Sequence, residues 1–267
     1  IEIFRGDIRD SGSVRAAMKS CESVAHLAAL IGIPYSYEAP HSYIETNITG
    51  TLNLLQAARE FGVRKFIQTS TSEVYGTAKY VPINEDHPLL GQSPYSASKA
   101  SADLIARSYH RTFGLDVRVT RCSNNYGPHQ YPEEVIPLFV TNLIDGKKVP
   151  LYGNGLNVRD WLHVDDHCKG IHAVLNKGKP GQIYNIGGGR ELNNRELTDT
   201  ILALIGRDST SIEYVEDRLG HDLRYSVSHE KISRELGYQP QVTFEQGLLE
   251  TINWYKENES WWRPLKI

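Results

Sequence analysis

Three cysteines in 267 residues, none close to another, leave no disulfide framework and no Cys-x-x-Cys metal or redox pair. Cys21, Cys122 and Cys168 therefore read as core thiols, since a free cysteine packs as a small hydrophobe. A reducing, cytoplasmic compartment follows from the same scarcity. No apolar stretch reaches the roughly 18 residues that a membrane-spanning helix requires, and the N-terminus carries no signal-peptide pattern. A membrane is not an expected partner. Charge of one sign is also scarce, with 29 basic against 32 acidic residues and a formal net charge of −3. That balance gives no reason to expect nucleic acid as a partner. Internal repeats, low-complexity tracts and charge runs are missing, and no metal site is expected. The last absence is at the start. The chain opens at Ile1-Glu2-Ile3-Phe4, without Met and already alternating as a strand does. It is therefore expected to begin inside a domain.

What is present has an alternating texture. Ile1–Phe4 reads as a strand, Ser11–Ser20 as a helix and Val24–Leu27 as an apolar strand. Apolar residues then recur at helical spacing from Tyr43 to Phe61 (Ile44, Ile48, Leu52, Leu55), with Gly62 as the stop. Lys65–Thr69 is the next strand, Ser96–Phe113 a long helix closed by Gly114, and Val117–Thr120 another strand. Strands alternating with helices predict an α/β fold built on a doubly wound parallel sheet. The expected division is residues 1–125 as the sheet domain and 126–267 as a smaller α/β domain. The second is expected to pack over the sheet's C-terminal edge, with some segments returning to the sheet. Trp254, Trp261 and Trp262 read as packing residues.

The chemistry gathers at two segments. The strand Lys65–Thr69 runs into Ser70-Thr71-Ser72-Glu73-Val74-Tyr75-Gly76, and Pro94-Tyr95-Ser96-Ala97-Ser98-Lys99 opens a helix. Tyr95 and Lys99 are four apart and share a helical face. A tyrosine of ordinary pKa near 10 is a poor base at neutral pH. An adjacent ammonium is expected to stabilise the Tyr95 phenolate and lower that value. Thr71, on the strand end, is placed to hydrogen-bond the same substrate hydroxyl. Taken alone, Tyr-x-x-x-Lys occurs on many exposed helices and is weak. The order of strand, Ser/Thr-rich turn with Glu, and proline-opened helix makes it specific.

With these segments go Thr46-Asn47-Ile48-Thr49-Gly50-Thr51 and His26-Leu27-Ala28-Ala29. Together they resemble the extended short-chain dehydrogenases that act on nucleotide sugars. From Arg121 onward the likeness narrows to the group of 4,6-dehydratases acting on dTDP-glucose. It is carried by Arg121–Pro128, Leu151-Tyr152-Gly153, Val158–Asp166, Tyr184–Gly188 and Asp217–Asp222. The resemblance implies a Rossmann-type domain, NAD as cofactor and a nucleotide-diphosphate sugar as substrate. It implies Tyr95, Lys99, Thr71, Ser72 and Glu73 as catalytic positions. It places Asp7 and Ile8 by the adenine, and Leu27, Ala28 and Ala29 by the cofactor ribose and pyrophosphate. Thr46, Tyr95, Lys99 and Asn125 also fall to NAD. Thr71 falls to the substrate as well. Asn124, Pro150, Leu151, Tyr152, Arg159, Asn185, Arg218 and His221 fall to the nucleotide diphosphate and its base. A homodimer is expected through the helices flanking the sheet, Tyr43–Phe61 and Ser96–Phe113.

Three departures qualify the likeness. The Gly-rich dinucleotide loop is absent, because Gly187-Gly188-Gly189 comes too late and follows the wrong strand. Truncation ahead of the third strand of the fold is the expected reason, and such a fragment is expected to bind NAD weakly or not at all and to be inactive. The dTDP-glucose enzymes usually carry Asp-Glu after the Thr, whereas this chain has Ser72-Glu73. Its front half, Ala29–Tyr37 and Ser70–Ala78, looks more like dehydratases of nucleotide-linked N-acetylglucosamine. Glu134 stands where the dTDP-glucose enzymes commonly have Lys beside the substrate phosphates. The leading expectation is an NAD-dependent 4,6-dehydratase of a nucleotide hexose. A UDP-glucuronate decarboxylase, which shares Thr-Ser-Glu, is the alternative, and a 4-epimerase ranks third. A non-catalytic scaffold is disfavoured by the retained Tyr95, Lys99 and Glu73.

Overall fold

The computed structural model describes residues 1–217 and 220–266. In chain order its strands are β1 (Ser23–His26), β2 (Lys65–Thr71), β3 (Val117–Cys122), β4 (Asn124–Tyr126), β5 (Val149–Tyr152), β6 (Val158–His163), β7 (Ile183–Ile186), β8 (Glu191–Asn193), β9 (Ile212–Val215) and β10 (Arg224–Tyr225). The main sheet has the order β1-β2-β3-β7, and all its pairings are parallel. Its two faces are visible in neighbouring residues of β2. Phe66 packs with Leu55, Ala58 and Ala106 from the helices Thr51–Glu60 and Pro94–Phe113. Ile67 points the other way, into a cluster with Ile171, Val174 and Ile186. Helices on both faces of a parallel sheet make the fold doubly wound, as its alternation predicts. Strand β7 lies far along the chain yet closes onto β3, so part of the second half does return to the sheet. A second sheet runs β10-β6-β4 with β8 antiparallel to β6, and β5 pairs with β9 beside it.

The helix that carries Tyr95 begins two residues earlier than its periodicity indicates, spanning Pro94–Phe113. Proline is favoured at the first helical position, where its missing N–H needs no partner. Ser93 and Ser96 cap it reciprocally, and Gly114 ends it in the left-handed conformation at φ 71°. The expected helix Tyr43–Phe61 exists as a composite. A π-helical stretch, Ile44–Gly50, is inserted ahead of Thr51–Glu60. Such insertions gather at functional sites, and this one turns Asn47 into the interior.

Two expectations are corrected. Ile1–Phe4 forms no strand, because alternation needs a partner ladder and β1 pairs only with β2 among the described strands. Its apolar residues are exposed instead. Cys21 and Cys168 are exposed free thiols, so neither is a core residue, whereas half-buried Cys122 packs against the cluster that holds Ile67 and Ile186. Cys168 falls on the outer face of the helix Val164–Lys177, whose inward positions are Asp166, His167, Gly170, Ile171 and Val174. The tryptophans do pack as expected. Trp262 is fully buried, donates its indole N–H to the Tyr255 carbonyl at 2.8 Å, and has Trp254 and Trp261 packed against the same cluster. Trp262→Ala is expected to lower unfolding stability by about 3–5 kcal/mol in urea titration, against under about 0.5 kcal/mol for exposed Leu249→Ala.

Candidate active site

The site is assembled at the carboxyl ends of β2 and β3, where Thr71 and Cys122 lie in register. Thr71 caps a short 3-10 turn, Ser72–Tyr75, by accepting the Glu73 N–H on its hydroxyl at 3.2 Å. Gly76 ends the turn at φ 66°, and a side chain there would come within 2.2 Å of the Leu90 carbonyl oxygen. The turn aims Glu73 toward β10, where the Tyr225 hydroxyl donates to Glu73 Oε1 at 2.9 Å. Tyr225 pairs in register with Arg159 of β6, and the Arg159 guanidinium carbon sits 4.2 Å over its ring. One aromatic side chain thus touches both Glu73 and Arg159. Sequence reasoning missed Tyr225, because a two-residue strand has no periodicity and its partner is 152 residues away.

Tyr95 is buried one helical turn before Lys99, and the Thr71 hydroxyl hydrogen-bonds it. The electrostatics correct the expectation of a lowered pKa. Burial, and then the Glu73 charge, push the Tyr95 phenol well above its usual value. Lys99 does not offset this, because its ammonium donates to the Thr69 carbonyl at 2.8 Å. Burial also pulls the Lys99 ammonium below its usual value, although the Asp103 charge opposes that. In this geometry Tyr95 is a neutral phenol at physiological pH.

Below the reacting groups is a buried polar network. Arg121 donates to Asp103 Oδ2 at 3.0 Å and to the Tyr75 hydroxyl at 3.0 Å. The Tyr75 hydroxyl in turn donates to Asn185 Oδ1 at 2.8 Å. Asn185 is fully buried and its amide also reaches the Ile83 carbonyl at 3.1 Å. Asn47 forms the other tie. It pairs with both backbone groups of Leu30 at 2.9 and 3.0 Å and donates to Ser98 Oγ at 2.9 Å. Ser98 continues to the Tyr95 carbonyl at 2.7 Å. The loop after β1 is thereby locked to the helix that bears Tyr95. On the far side of β3, burial works to raise the Cys122 thiol. The His167 charge and hydrogen bonds from His167 and Asn125 outweigh that and lower it.

The remaining positions sort by exposure. Leu27 is 57% exposed at the end of β1, an apolar shelf continued by exposed Ala28 and half-buried Ala29. Ile8 is half-buried and lies against Gly50, and the exposed Asp7 carboxylate is held by Arg9 at 2.6–3.1 Å. Thr46 is half-buried in the π-helical stretch. Ser72 is buried beside Glu73. Asn124 and Asn125 each keep a buried side-chain oxygen without a protein partner. Pro150 is half-buried and Tyr152 exposed on β5, while the Leu151 side chain belongs to the core. The Leu151 side chain thus points away from the face that Tyr152 presents, as strand alternation requires. Arg159 is buried, and His221 Nδ1 lies 2.6 Å from Asp217 Oδ1. Arg218 falls outside the described residues.

These residues suit NAD. The Lys99 ammonium uses one of its three donors on Thr69, leaving others for ribose hydroxyls. The uncovered Leu27–Ala29 shelf lies at the strand ends where open α/β sheets bind ligands.

Comparison with known proteins gives the family. The family described as GDP-mannose 4,6 dehydratase matches residues 1–251. A dTDP-glucose 4,6-dehydratase of Streptomyces antibioticus is 53% identical over 266 residues, covering 100% of this chain and 79% of the relative. The crystal structure of DesIV, a dTDP-glucose 4,6-dehydratase of Streptomyces venezuelae solved with NAD and TYD bound, superposes with a TM-score of 0.96 at 54% identity. That match covers 98% of this chain and 81% of the other. The dTDP-glucose 4,6-dehydratase of Bacillus anthracis in complex with NAD gives a TM-score of 0.90 at 48% identity, over 98% and 82% of the two chains.

His26, at the end of β1, yields a pH prediction. Thr51 Oγ1 donates to the Asn47 carbonyl at 2.6 Å, so the 3.0 Å contact with His26 Nε2 requires the proton on the histidine. Burial, and then the Lys99 charge, depress the His26 pKa to about 3. The unfolded chain therefore binds the extra proton first, and stability falls as pH drops below about 6.5 toward 3. Between pH 7 and pH 5 this group alone is expected to remove about 2 kcal/mol. Urea titrations should show that loss shrinking in His26→Gln, which keeps a donor for Thr51 and cannot titrate.

Proposed function

The chain belongs to the GDP-mannose 4,6-dehydratase family, and from that premise we propose that it is an NAD-dependent 4,6-dehydratase converting a nucleotide hexose to its 4-keto-6-deoxy form. The observation that carries the reading is the meeting of Thr71, Glu73 and Tyr95 at one strand end, with Tyr225 holding the Glu73 carboxylate. dTDP-glucose is the substrate favoured by the relatives. NAD, when bound, supplies a reversible hydride acceptor and the positive charge of its oxidised ring.

The chain's own groups then have distinct tasks. Thr71 orients the C4 hydroxyl and Tyr95 takes its proton. A buried phenol performs this only when positive charge offsets its burial and the Glu73 carboxylate, a charge that Lys99, once released from the Thr69 carbonyl, and the oxidised cofactor would supply. A ketone at C4 acidifies the C5 hydrogen, and Glu73 removes it as the C6–oxygen bond breaks. Ser72 is too weak an acid to protonate the departing oxygen. Glu73, having gained the C5 proton, is the adjacent group able to deliver it. Arg159 and His221 grip the diphosphate and its base, with Tyr152 and the backbone of Pro150 and Leu151. Asn124 belongs to the substrate side and Asn125 to the cofactor. Exposed Leu104 on the Pro94–Phe113 helix favours a homodimer through its face of that helix. A cytoplasmic location accords with its free thiols.

A decarboxylase of a nucleotide hexuronate is the second reading. Ser72 favours it, because a β-keto acid loses CO₂ without an acid at that position. Incubation with NAD and, separately, dTDP-glucose, UDP-N-acetylglucosamine and UDP-glucuronate distinguishes the readings. A 4-keto-6-deoxy product is expected, and a pentose with released CO₂ would eliminate the dehydratase. Tyr95→Phe and Glu73→Gln should each lower kcat by about 10²–10⁴-fold while the protein still binds dTDP.

A further inference from the structure

One carboxylate away from Glu73 and Tyr95 is tied to three of the segments around them. Asp222 Oδ1 accepts hydrogen bonds from Thr77 Oγ1 at 2.8 Å and from Gln92 Nε2 at 2.7 Å. The same Gln92 amide reaches Thr77 Oγ1 at 2.9 Å, closing a three-membered ring of contacts. The Asp222 backbone carbonyl accepts from the Asn157 side chain at 3.2 Å. Each partner leads somewhere. Thr77 follows Gly76, which ends the turn that aims Glu73. Gln92 precedes Ser93, the cap of the helix whose second residue is Tyr95. Asn157 lies between Tyr152 and Arg159, and His221 is the neighbour of Asp222 itself. Three residues on, Tyr225 donates to Glu73.

We propose that Asp222 is a positioning residue that fixes the spacing between the nucleotide grip and the groups reacting with the sugar. The proposal rests on the reading that residues 150–159 and His221 hold the nucleotide diphosphate. Binding energy from a remote part of a substrate raises the rate only if the protein transmits it rigidly to the reacting centre. The Asp222 ring joins the two ends through side chains, beside the contact that Tyr225 makes with both Arg159 and Glu73. Thr77 and Gln92 are exposed, so water competes for these bonds and they add little to global stability. Their effect lies in geometry.

The test uses dTDP as the probe in calorimetry with NAD present, together with kcat and KM for dTDP-glucose. Neither Thr77 nor Gln92 is a candidate nucleotide contact. Thr77→Val combined with Gln92→Leu is nonetheless expected to weaken dTDP binding by about fivefold and lower kcat by about tenfold. Its melting temperature should stay within about 2 °C of the parent's. Asp222→Ala should behave alike, and Asp222→Asn, which keeps an acceptor oxygen, should stay within about twofold of the parent. Parental dTDP affinity and kcat in the Thr77/Gln92 double variant overturn the proposal. So does an Asp222→Asn as damaged as Asp222→Ala, since charge rather than the hydrogen-bonded ring would then matter. If dTDP affinity follows the ring but no 4-keto-6-deoxy product forms, the positioning role stands and the dehydratase reading falls. A parent that binds no dTDP overturns both.

Discussion

The architecture of the site hangs on the buried ion pair between Asp103 and Arg121. Both side chains are essentially inaccessible to water, at 0% and 1% exposure. Such a pair has a desolvation cost that can match its attraction, so it stabilises the fold little on balance, while losing one partner would strand a buried charge. Its value is positional. Asp103 is one turn beyond Lys99, Arg121 is on the central strand β3, and Arg121 also holds the Tyr75 hydroxyl at the end of the Glu73 turn. Through Tyr75 the network reaches Asn185 on β7. The Tyr95 helix, the catalytic turn and the sheet cannot shift independently while it is intact.

Around that fixed frame the electrostatics are poised rather than relaxed. Tyr95 is a neutral phenol held against its own ionisation by burial and by the Glu73 carboxylate. Lys99 is drawn away to a backbone carbonyl and is itself pulled down by burial. A phenol held this way ionises more readily when a cationic partner enters the cleft. The Glu73 charge adds to the burial that keeps Tyr95 protonated.

Asn47 shows why the cofactor side is equally constrained. In a regular α-helix from Tyr43 to Phe61 its side chain would take another direction. The π-helical stretch turns it inward, where it satisfies both backbone groups of Leu30 and touches the Tyr95 helix through Ser98. A π-helical stretch in one helix thus sets the position of the loop after β1 against the Tyr95 helix.

The amino-acid sequence by itself determined the alternating layers, the long helix opened by Pro94 and closed by Gly114, and the presence of Thr71, Glu73, Tyr95 and Lys99 near one strand end. These are local matters, fixed by periodicity, caps and strand order within a few dozen residues. Ile1–Phe4 had the right alternation but no strand beside it, so its pattern alone could not make a strand. Only the tertiary structure decided where side chains point and what they meet. It placed Tyr225 on Glu73 across 152 residues, buried Asn185 in a polar network, and turned the Leu151 side chain into the core. It also reversed the expected pKa of Tyr95, because spacing along a helix specifies neighbours but not burial or the competing acceptor that captures Lys99.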